Sequence, residues 1–435
     1  MNTSELRQSS RGTTVVIGGG VIGLSSAWYL ARDGWEVTVV DRGSVGGACS
    51  HGNCGLICPS HVLPLTEPGA FHNALKSLLT PNSPFRVQPR FDPALWSWLW
   101  NFAKRCNHAC MLDAGHAIQR LLKLSMHEYQ QWMENDPFES EWQEKGLLFV
   151  YQNPKALADF GKTNDFMTSE FEEPARLLDQ REVVRHEPAL KESVAGGWLY
   201  EHDAHLRPDK LLASLRAQLS EAGVEFMENC EFKSFSGGAG TAQCVETSQG
   251  SLRADAFVIA TGAWTPHLNE QIGAKIPIQP GKGYSITMPR PEVCPIVPLI
   301  FPEHHVAVTP MMSRYRLGSI MEFAGYDSSI RPERLDLLRR AAEIYLRQPR
   351  CQPELSAWFG WRPMTYDSVP IIDFTPKWNN VLLATGHNML GMSMAPGTGL
   401  IVSAMLANQP PPIDVAPYQI ARFANKKTSR RSGHR

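Results

Sequence analysis

Two kinds of pattern alternate along the chain. Thr14–Ile17 is a short apolar run with β-branched residues and reads as a buried strand. Leu24–Arg32 spaces its apolar positions as a helix does and is closed by Gly34; Val37–Val40 is a second buried strand, ended by Asp41. Residues 60–200 change character. Ala94–Cys110 and Ile118–Met133 predict long amphipathic helices, with few strand signals before Gly146–Tyr151. Asp209–Ala222 predicts a helix capped by Gly223, and Val224–Phe226, Glu231–Phe232 and Ala256–Ala260 predict strands. After Pro280–Ser285 the apolar positions alternate through Val306–Val308, Arg316–Ser319 and Met321–Phe323, which predicts an antiparallel sheet. Leu335–Arg347 reads as a helix, Val381–Ala384 as a strand, His387–Gly399 as a loop and Leu400–Ala407 as a final helix. Strand, small-residue turn and helix thus occur at both ends of the chain. One discontinuous α/β domain built from both ends is expected.

The first β-α-β unit carries Gly18-Gly19-Gly20-Val21-Ile22-Gly23 between its strand and its helix. Gly18 permits the tight turn, Gly20 lets the backbone approach a pyrophosphate, and Gly23 lets the helix pack close to the strand. The helix N-terminus offers unpaired N–H groups and a positive dipole end. Asp41, 18 residues after Gly23, has the reach for a ribose hydroxyl pair and argues against a 2′-phosphate. The pattern therefore predicts dinucleotide binding. Ala48–Leu56 is rich in small and polar residues and predicts a loop whose backbone approaches a ligand.

At 435 residues the chain has room for two domains or one large composite one. Its 43% hydrophobic and 20% charged residues exclude global disorder, and a net charge of −1 gives no global attraction to nucleic acid. Charge is uneven, because residues 422–435 hold Arg422, Lys426, Lys427, Arg430, Arg431 and Arg435 and no acid. That end is read as a solvated terminus, with contact to anionic lipid as the alternative. Likewise the tryptophans of Ala94–Cys110 suit an interior or interface helix, or else peripheral docking on a membrane. Trp378–Pro412 is uncharged but broken by glycine and proline, so no transmembrane span is predicted, and the polar Met1–Arg11 lacks a signal-peptide pattern. A cytoplasmic protein is expected, in contact at most with the inner membrane face. Cys49, Cys54 and Cys58 lie close together but form no Cys-x-x-Cys pair and have no evident fourth ligand, so no metal site is expected.

Further motifs point to a family. They are Gly46-Gly47 soon after the acid, Ala260-Thr261-Gly262-Ala263-Trp264, and Gly360-Trp361-Arg362-Pro363-Met364-Thr365-Tyr366-Asp367-Ser368-Val369-Pro370. Ala384-Thr385-Gly386-His387 follows, with Leu390-Gly391 and Ala395–Gly399. Together they resemble the FAD-dependent amine oxidoreductases (the D-amino-acid oxidase and glycine oxidase group) over residues 13–423. Ser50–Leu56 and the Asp92–Cys106 segment are most similar to the D-amino-acid dehydrogenase small-subunit branch. The resemblance implies a discontinuous Rossmann-like FAD-binding domain from residues 13–60, 200–270 and 355–423. A second, α+β substrate domain on an antiparallel sheet would come from 61–199 and 271–354, with disordered tails at 1–12 and 424–435.

It also implies site residues. Gly18, Gly20, Val21, Ile22 and Gly23 would hold the pyrophosphate, Asp41 and Arg42 would meet the adenosine ribose, and Phe232 the adenine. Ala260, Gly262 and Trp264 would lie beside the dinucleotide. Gly47, Ala48, Ser50, Gly52, Asn53, Cys54, Gly55 and Leu56 would run along the isoalloxazine. Gly391, Met392, Ser393 and Met394 would cover its pyrimidine edge with backbone N–H groups. His51 is one residue out of register with the histidine that carries FAD covalently in some relatives, and no cysteine follows Cys351, so non-covalent FAD is expected.

The implied reaction moves a hydride from the α-carbon of a D-amino acid to flavin N5. The resulting imine hydrolyses to a 2-oxo acid and ammonia, and the electrons pass to a quinone or another carrier. Such a step needs position more than an acid–base dyad. An amino-acid substrate needs a cation for its carboxylate, for which Arg362 is the candidate and Arg314 and Arg316 the alternatives. Tyr284, His387 and Glu322 complete the candidate substrate site; Arg362 as a scaffold residue of its motif remains an open alternative. Rival readings are a glycine, sarcosine or proline-type imino-acid oxidase, a flavin electron-transfer subunit of a larger complex, and an NAD-binding protein.

Overall fold

The computed structural model describes residues 11–69, 83, 85–88, 90–136 and 138–424. Gly12–Ile17 (β1), Val21–Arg32 (α1) and Trp35–Val40 (β2) form the expected β-α-β unit. Its sheet has six strands in the order Ile371–Phe374, Val381–Thr385, Ala256–Ile259 (β3), β1, β2 and Glu225–Met227. All neighbours are parallel except the first pair. Both chain ends contribute, as the repeated strand–turn–helix pattern predicts. The strands are nearly continuous apolar runs because helices or loops cover both faces.

The second large sheet has nine strands among the described residues. Ser356–Thr365 (β6) is its edge strand; next to it Ile278–Met288 (β4) pairs antiparallel with β6 on one side and with Tyr315–Phe323 (β5) on the other. It is not wholly antiparallel: Phe85–Val87 joins β5, and Leu147–Tyr151 joins Leu299–Phe301, both in parallel. Arg316–Ser319 and Met321–Phe323, expected as separate strands, are one strand with a bulge. Ser319 and Ile320 both have positive φ there, and the pairing with β4 shifts. Although β6 was expected among the cofactor-binding segments, it pairs with β4 along ten residues from Ile278 to Thr287.

Two helix expectations change. Ala94–Cys110 is two elements, Pro93–Arg105 (α2) and the start of His108–Asn135 (α3). Asn107 breaks the run by accepting from the Cys110 N–H and capping α3, as Asp92 caps α2. Leu95, Trp98 and Phe102 pack inward, and the Trp98 indole donates to the Met364 carbonyl at 2.9 Å, whereas Trp96 and Trp100 face solvent. His387–Gly399 is mostly not a loop: the helix Gly391–Leu406 (α4) begins eight residues before Gly399. Pro396 sits inside it, where it lacks a donor for the Met392 carbonyl. The buried Tyr129 hydroxyl of α3 donates to that carbonyl at 2.7 Å, and Ser125 Oγ accepts the Gly397 N–H at 3.1 Å. Tertiary contacts repair the broken ladder that local sequence argues against.

The expected tails lie outside the described residues except for Arg11, Gly12 and Ala424. Gly12 opens β1, and Arg11 pairs with Asp33 at 3.0 Å. Arg422 belongs to the folded body, donating to Asp367 at 2.8 Å. No described helix is long and apolar enough to cross a membrane.

Candidate active site

A cavity of about 860 Å³ runs from the glycine-rich turn to the β4–β5–β6 face. Every residue expected to hold the dinucleotide or flavin lines it except Gly23, Gly55 and Met394. Gly23 packs α1 against the turn, since a Cβ there would fall 1.8 Å from the Gly18 carbonyl oxygen. Gly18 has φ +110°, and a Cβ on it would strike the Ala260 carbonyl, which brings β1 and β3 together at the cavity wall. Met394 is buried in the core behind the first turn of α4.

Two helix N-termini face this space. At α1, Ser50 Oγ accepts the Val21 N–H at 3.1 Å. Asp41 accepts from Gly19 N–H at 2.7 Å and Gly43 N–H at 2.8 Å, so the acid also fixes the shape of the glycine turn. At α4, Gly391, Met392 and Ser393 line the cavity with the first-turn N–H groups, the positive end of a 16-residue helix. The side wall is aromatic: the Arg42 guanidinium lies 3.5 Å from the Trp264 ring, and Trp264 stacks on Tyr326.

Residues 357–363 of β6 all line the cavity, and alternation puts Trp358, Gly360 and Arg362 together on one face of the strand. Arg362 lies against Gly283, where a Cβ would meet the guanidinium at 2.4 Å. It donates to the carbonyls of Ile320 at 2.8 Å and Ser319 at 3.4 Å, bracing the β5 bulge. Burial lowers its pKa from the usual value, and the opposing influences are the thiols Cys49 and Cys54. Among the described residues no carboxylate pairs with it. Trp358, missed from sequence, covers Gly52 and Gly360 so closely that a Cβ on either would enter its ring. The same alternation that carries Arg362 would have identified it.

The other substrate candidates separate. Tyr284 lines the cavity, but its ring also packs with Ile286, Met288 and the helix Pro332–Tyr345. Its hydroxyl donates to Glu322 at 2.8 Å. Glu322 does not line the cavity; it is fully buried, with Arg331 at 3.6 Å and Arg86 at 4.0 Å. A phase of one residue along a strand decides the face, and the bulge at Ser319–Ile320 hid that phase. Arg316 is buried and committed to backbone, donating to the Asn53 carbonyl at 2.6 Å and the His51 carbonyl at 3.3 Å. Arg314 lies 3.9 Å from Asp209, and neither arginine lines the cavity.

His387 does line it, but burial holds its pKa down to about 3. Thr398 donates its hydroxyl proton to the Met394 carbonyl, so His387 Nε2–H donates to Thr398 Oγ1 at 3.0 Å. This imidazole is neutral at ordinary pH. Of the three clustered cysteines, Cys49 and Cys54 lie near Arg362, while Cys58 groups with His61 and Asp203. The ligand atoms of that second group fall within 4.8 Å of one another and could hold a metal ion.

Residues 13–405 match the family described as FAD dependent oxidoreductase. The chain belongs to that family. Relatives of this FAD-dependent oxidoreductase include proteins named D-amino acid dehydrogenase. That of Agrobacterium fabrum is 31% identical over 420 residues, covering 94% of this chain and 99% of the relative. That of Paramagnetospirillum magneticum is 33% identical over 427 residues, with the same shares covered. Among solved structures, glycine oxidase from Geobacillus kaustophilus superposes with TM-score 0.76 at 20% identity, covering 95% of this chain and 99% of that one. L-Proline dehydrogenase from P. horikoshii gives 0.69 at 21% identity, covering 95% and 98%. These two likenesses establish the shared fold. The cavity of this FAD-dependent oxidoreductase also fits the cofactor: a glycine cradle, an acid at ribose reach and a second helix N-terminus lie along one continuous space.

Proposed function

We propose that this chain oxidises D-amino acids to imines, which water converts to 2-oxo acids and ammonia. The observation that carries the reading is Arg362, a half-buried cavity-lining cation whose described partners are carbonyls and thiols. A buried charge is costly unless paired, and a substrate carboxylate supplies the missing partner through a planar, two-point contact. The names of the relatives support the D configuration.

Bound FAD supplies a two-electron acceptor. Gly18, Gly20 and the α1 N-terminus would hold its pyrophosphate, and Asp41 its ribose. Gly391–Ser393 would present N–H groups to the flavin edge, without a covalent link. Arg362 anchors the carboxylate and so orients the α-carbon, which is the main demand of the reaction. Trp358 packs over Gly52 at the cavity wall. The six-stranded sheet would serve the cofactor and the β4–β5–β6 face the substrate. The electrons would leave to a quinone or another carrier in the cytoplasm or at the membrane face. Trp96, Trp100 and Lys104 share an exposed side of α2, which supports peripheral lipid contact.

The test is anaerobic bleaching of the flavin by D- and L-amino acids, glycine, sarcosine and both prolines, followed by air. Bleaching by D-amino acids with slow recovery in air is expected. Bleaching by glycine, sarcosine or proline with prompt recovery and peroxide would replace the reading with an oxidase. No bleaching at all would leave an electron-transfer subunit.

A further inference from the structure

The large sheet carries a row of side chains graded in size. Gly318 of β5 pairs with Ala307, Ala307 with Ile300, and Ile300 with Phe149, each one strand further across. Directly paired residues point to the same side of a sheet, so the four share one face. That face is the cavity's. Ala307 and Ile300 line it, as does His61, whose ring packs edge-on against Phe149. The row begins beside Arg362. Cys54, whose thiol acts on the guanidinium, has its Sγ 2.5 Å from where a Gly318 Cβ would stand. Arg362 also donates to the carbonyls of Ser319 and Ile320, the two residues after Gly318. From β5, Ala307 lies one strand away and Ile300 two, roughly 5 and 10 Å at ordinary strand spacing. Of the described residues that line the cavity, only Asp41, Arg42, Glu231 and Arg362 are Asp, Glu, Lys or Arg. The first three stand where the ribose and adenine are expected, so Arg362 carries the charge of the other end.

We propose that Ala307 and Ile300 set which side chain the substrate carries, and that they select an uncharged, apolar one such as that of D-leucine or D-methionine. This deepens the amino-acid reading and rests on it. A carboxylate on Arg362 starts the substrate over Gly318, where the absence of a side chain leaves room. Ala307 continues that floor, and Ile300, backed by Phe149 and His61, ends it. The span of about 10 Å must hold the carboxylate contact, the α-carbon and the side chain, which suits about four side-chain heavy atoms. A phenylalanine side chain runs into Ile300. A lysine or glutamate side chain enters an apolar floor with no described partner, and burying an unpaired charge is costly. The lysine ammonium also meets Arg362 as a like charge, and the glutamate side chain competes with its own α-carboxylate for the one arginine. Glycine leaves the row unfilled and forfeits the burial of apolar surface that a longer side chain gains.

The test is anaerobic stopped-flow flavin reduction by D-alanine, D-methionine, D-phenylalanine, D-lysine and D-glutamate, read as the apparent second-order rate constant for each. The wild type should react at least about 10²-fold faster with D-methionine than with D-lysine or D-glutamate, because an unpaired charge is costly to bury. Ala307→Val and Ile300→Val are compared with it, each checked for retained flavin by its visible spectrum. Ala307→Val fills the floor next to the cation. It should lower the ratio of D-methionine to D-alanine by about 10-fold or more, the scale of one methylene in an apolar pocket. Ile300→Val takes a carbon from the far wall and should raise the ratio of D-phenylalanine to D-alanine by about 10-fold. It is the milder change to the fold, so it decides the matter alone if Ala307→Val does not fold. Ratios are read because damage to folding or flavin binding moves all substrates together. A wild type that takes D-lysine or D-glutamate as fast as D-methionine would overturn the proposal, and so would ratios that neither variant moves. Both results leave the amino-acid reading standing. Failure of every amino acid to reduce the wild type would overturn that reading together with the proposal.

Discussion

The two faces of β4 each bury an arginine-containing cluster, and the clusters are built oppositely. On the face toward the helix Pro332–Tyr345, Glu322 sits among Arg86, Arg331 and the Tyr284 hydroxyl. Charge there is answered within the chain. On the cavity face, Arg362 meets carbonyls and thiols and no described carboxylate. In the first cluster the acid has its arginines without a ligand, although Glu322 Oε1 accepts no hydrogen bond; in the second no described acid answers Arg362. That difference, rather than burial or charge alone, separates a structural ion pair from a binding site.

The comparison breaks most visibly at Glu322. Glu322→Leu leaves the buried Arg334 and the partly exposed Arg86 and Arg331 without their acid and is expected to cost about 3–5 kcal/mol of stability, read from denaturant midpoints. The surviving folded protein should keep its rate of flavin reduction. Arg362→Met should do the reverse. Losing one partner of a buried charge pair costs about 2–5 kcal/mol, expected here in kcat/KM for amino acids and mainly as a raised KM. Arg362→Lys should recover only part of it, because an ammonium lacks the planar fork. A variant equally unstable and inactive would mean that Arg362 acts only as a brace for Ser319 and Ile320. Tyr284→Phe sharpens the same contrast at smaller scale. It removes a hydrogen bond to a charged group, about 1.5–3 kcal/mol of stability, and should leave kcat/KM within about twofold.

Much of this was legible beforehand, for physical reasons that also mark the limit. The glycine turn, Asp41 and the Ala260–Trp264 segment act through backbone shape, which sequence spacing encodes directly. Arg362 was legible through its motif. Glu322 lies off the cavity, while Tyr284 lines it, because a strand's face alternates at every residue and a bulge resets the count. The α4 start was misread because Gly391, Pro396 and Gly397 are local breakers. Their compensation, the Tyr129 hydroxyl and Ser125 Oγ, comes from residues more than 250 positions away. Trp358 was passed over although it stands two residues before Gly360 on the same strand face. Cys58, His61 and Asp203 meet only through the pairing of Leu56–Ile57 with Ala204–His205, which no local pattern announces.

The smallest effect concerns how buried groups on the two sides respond to pH. Burial lowers His387 to about 3 and His205 to about 4, from an ordinary 6.5. Below pH 6.5 the unfolded chain binds these protons and the folded chain does not, so stability falls as pH drops from 6.5 toward 4. Asp203 works the other way. Raised from 3.8 to about 7, it binds its proton more tightly when folded, so its contribution is present at the acid end and is lost as pH rises toward 7. Between pH 4.5 and pH 6 Asp203 thus opposes these histidines, and His61, lowered to about 4, acts with them. Asp203→Asn removes its share of the opposition and should steepen the acid loss by up to about 1.4 kcal/mol per pH unit, the value of one proton. Urea midpoints of the flavin-loaded proteins at half-unit steps would measure that slope. Parallel slopes would mean that Asp203 is ionised throughout, with a cation or metal supplying the counter-charge that the described residues lack.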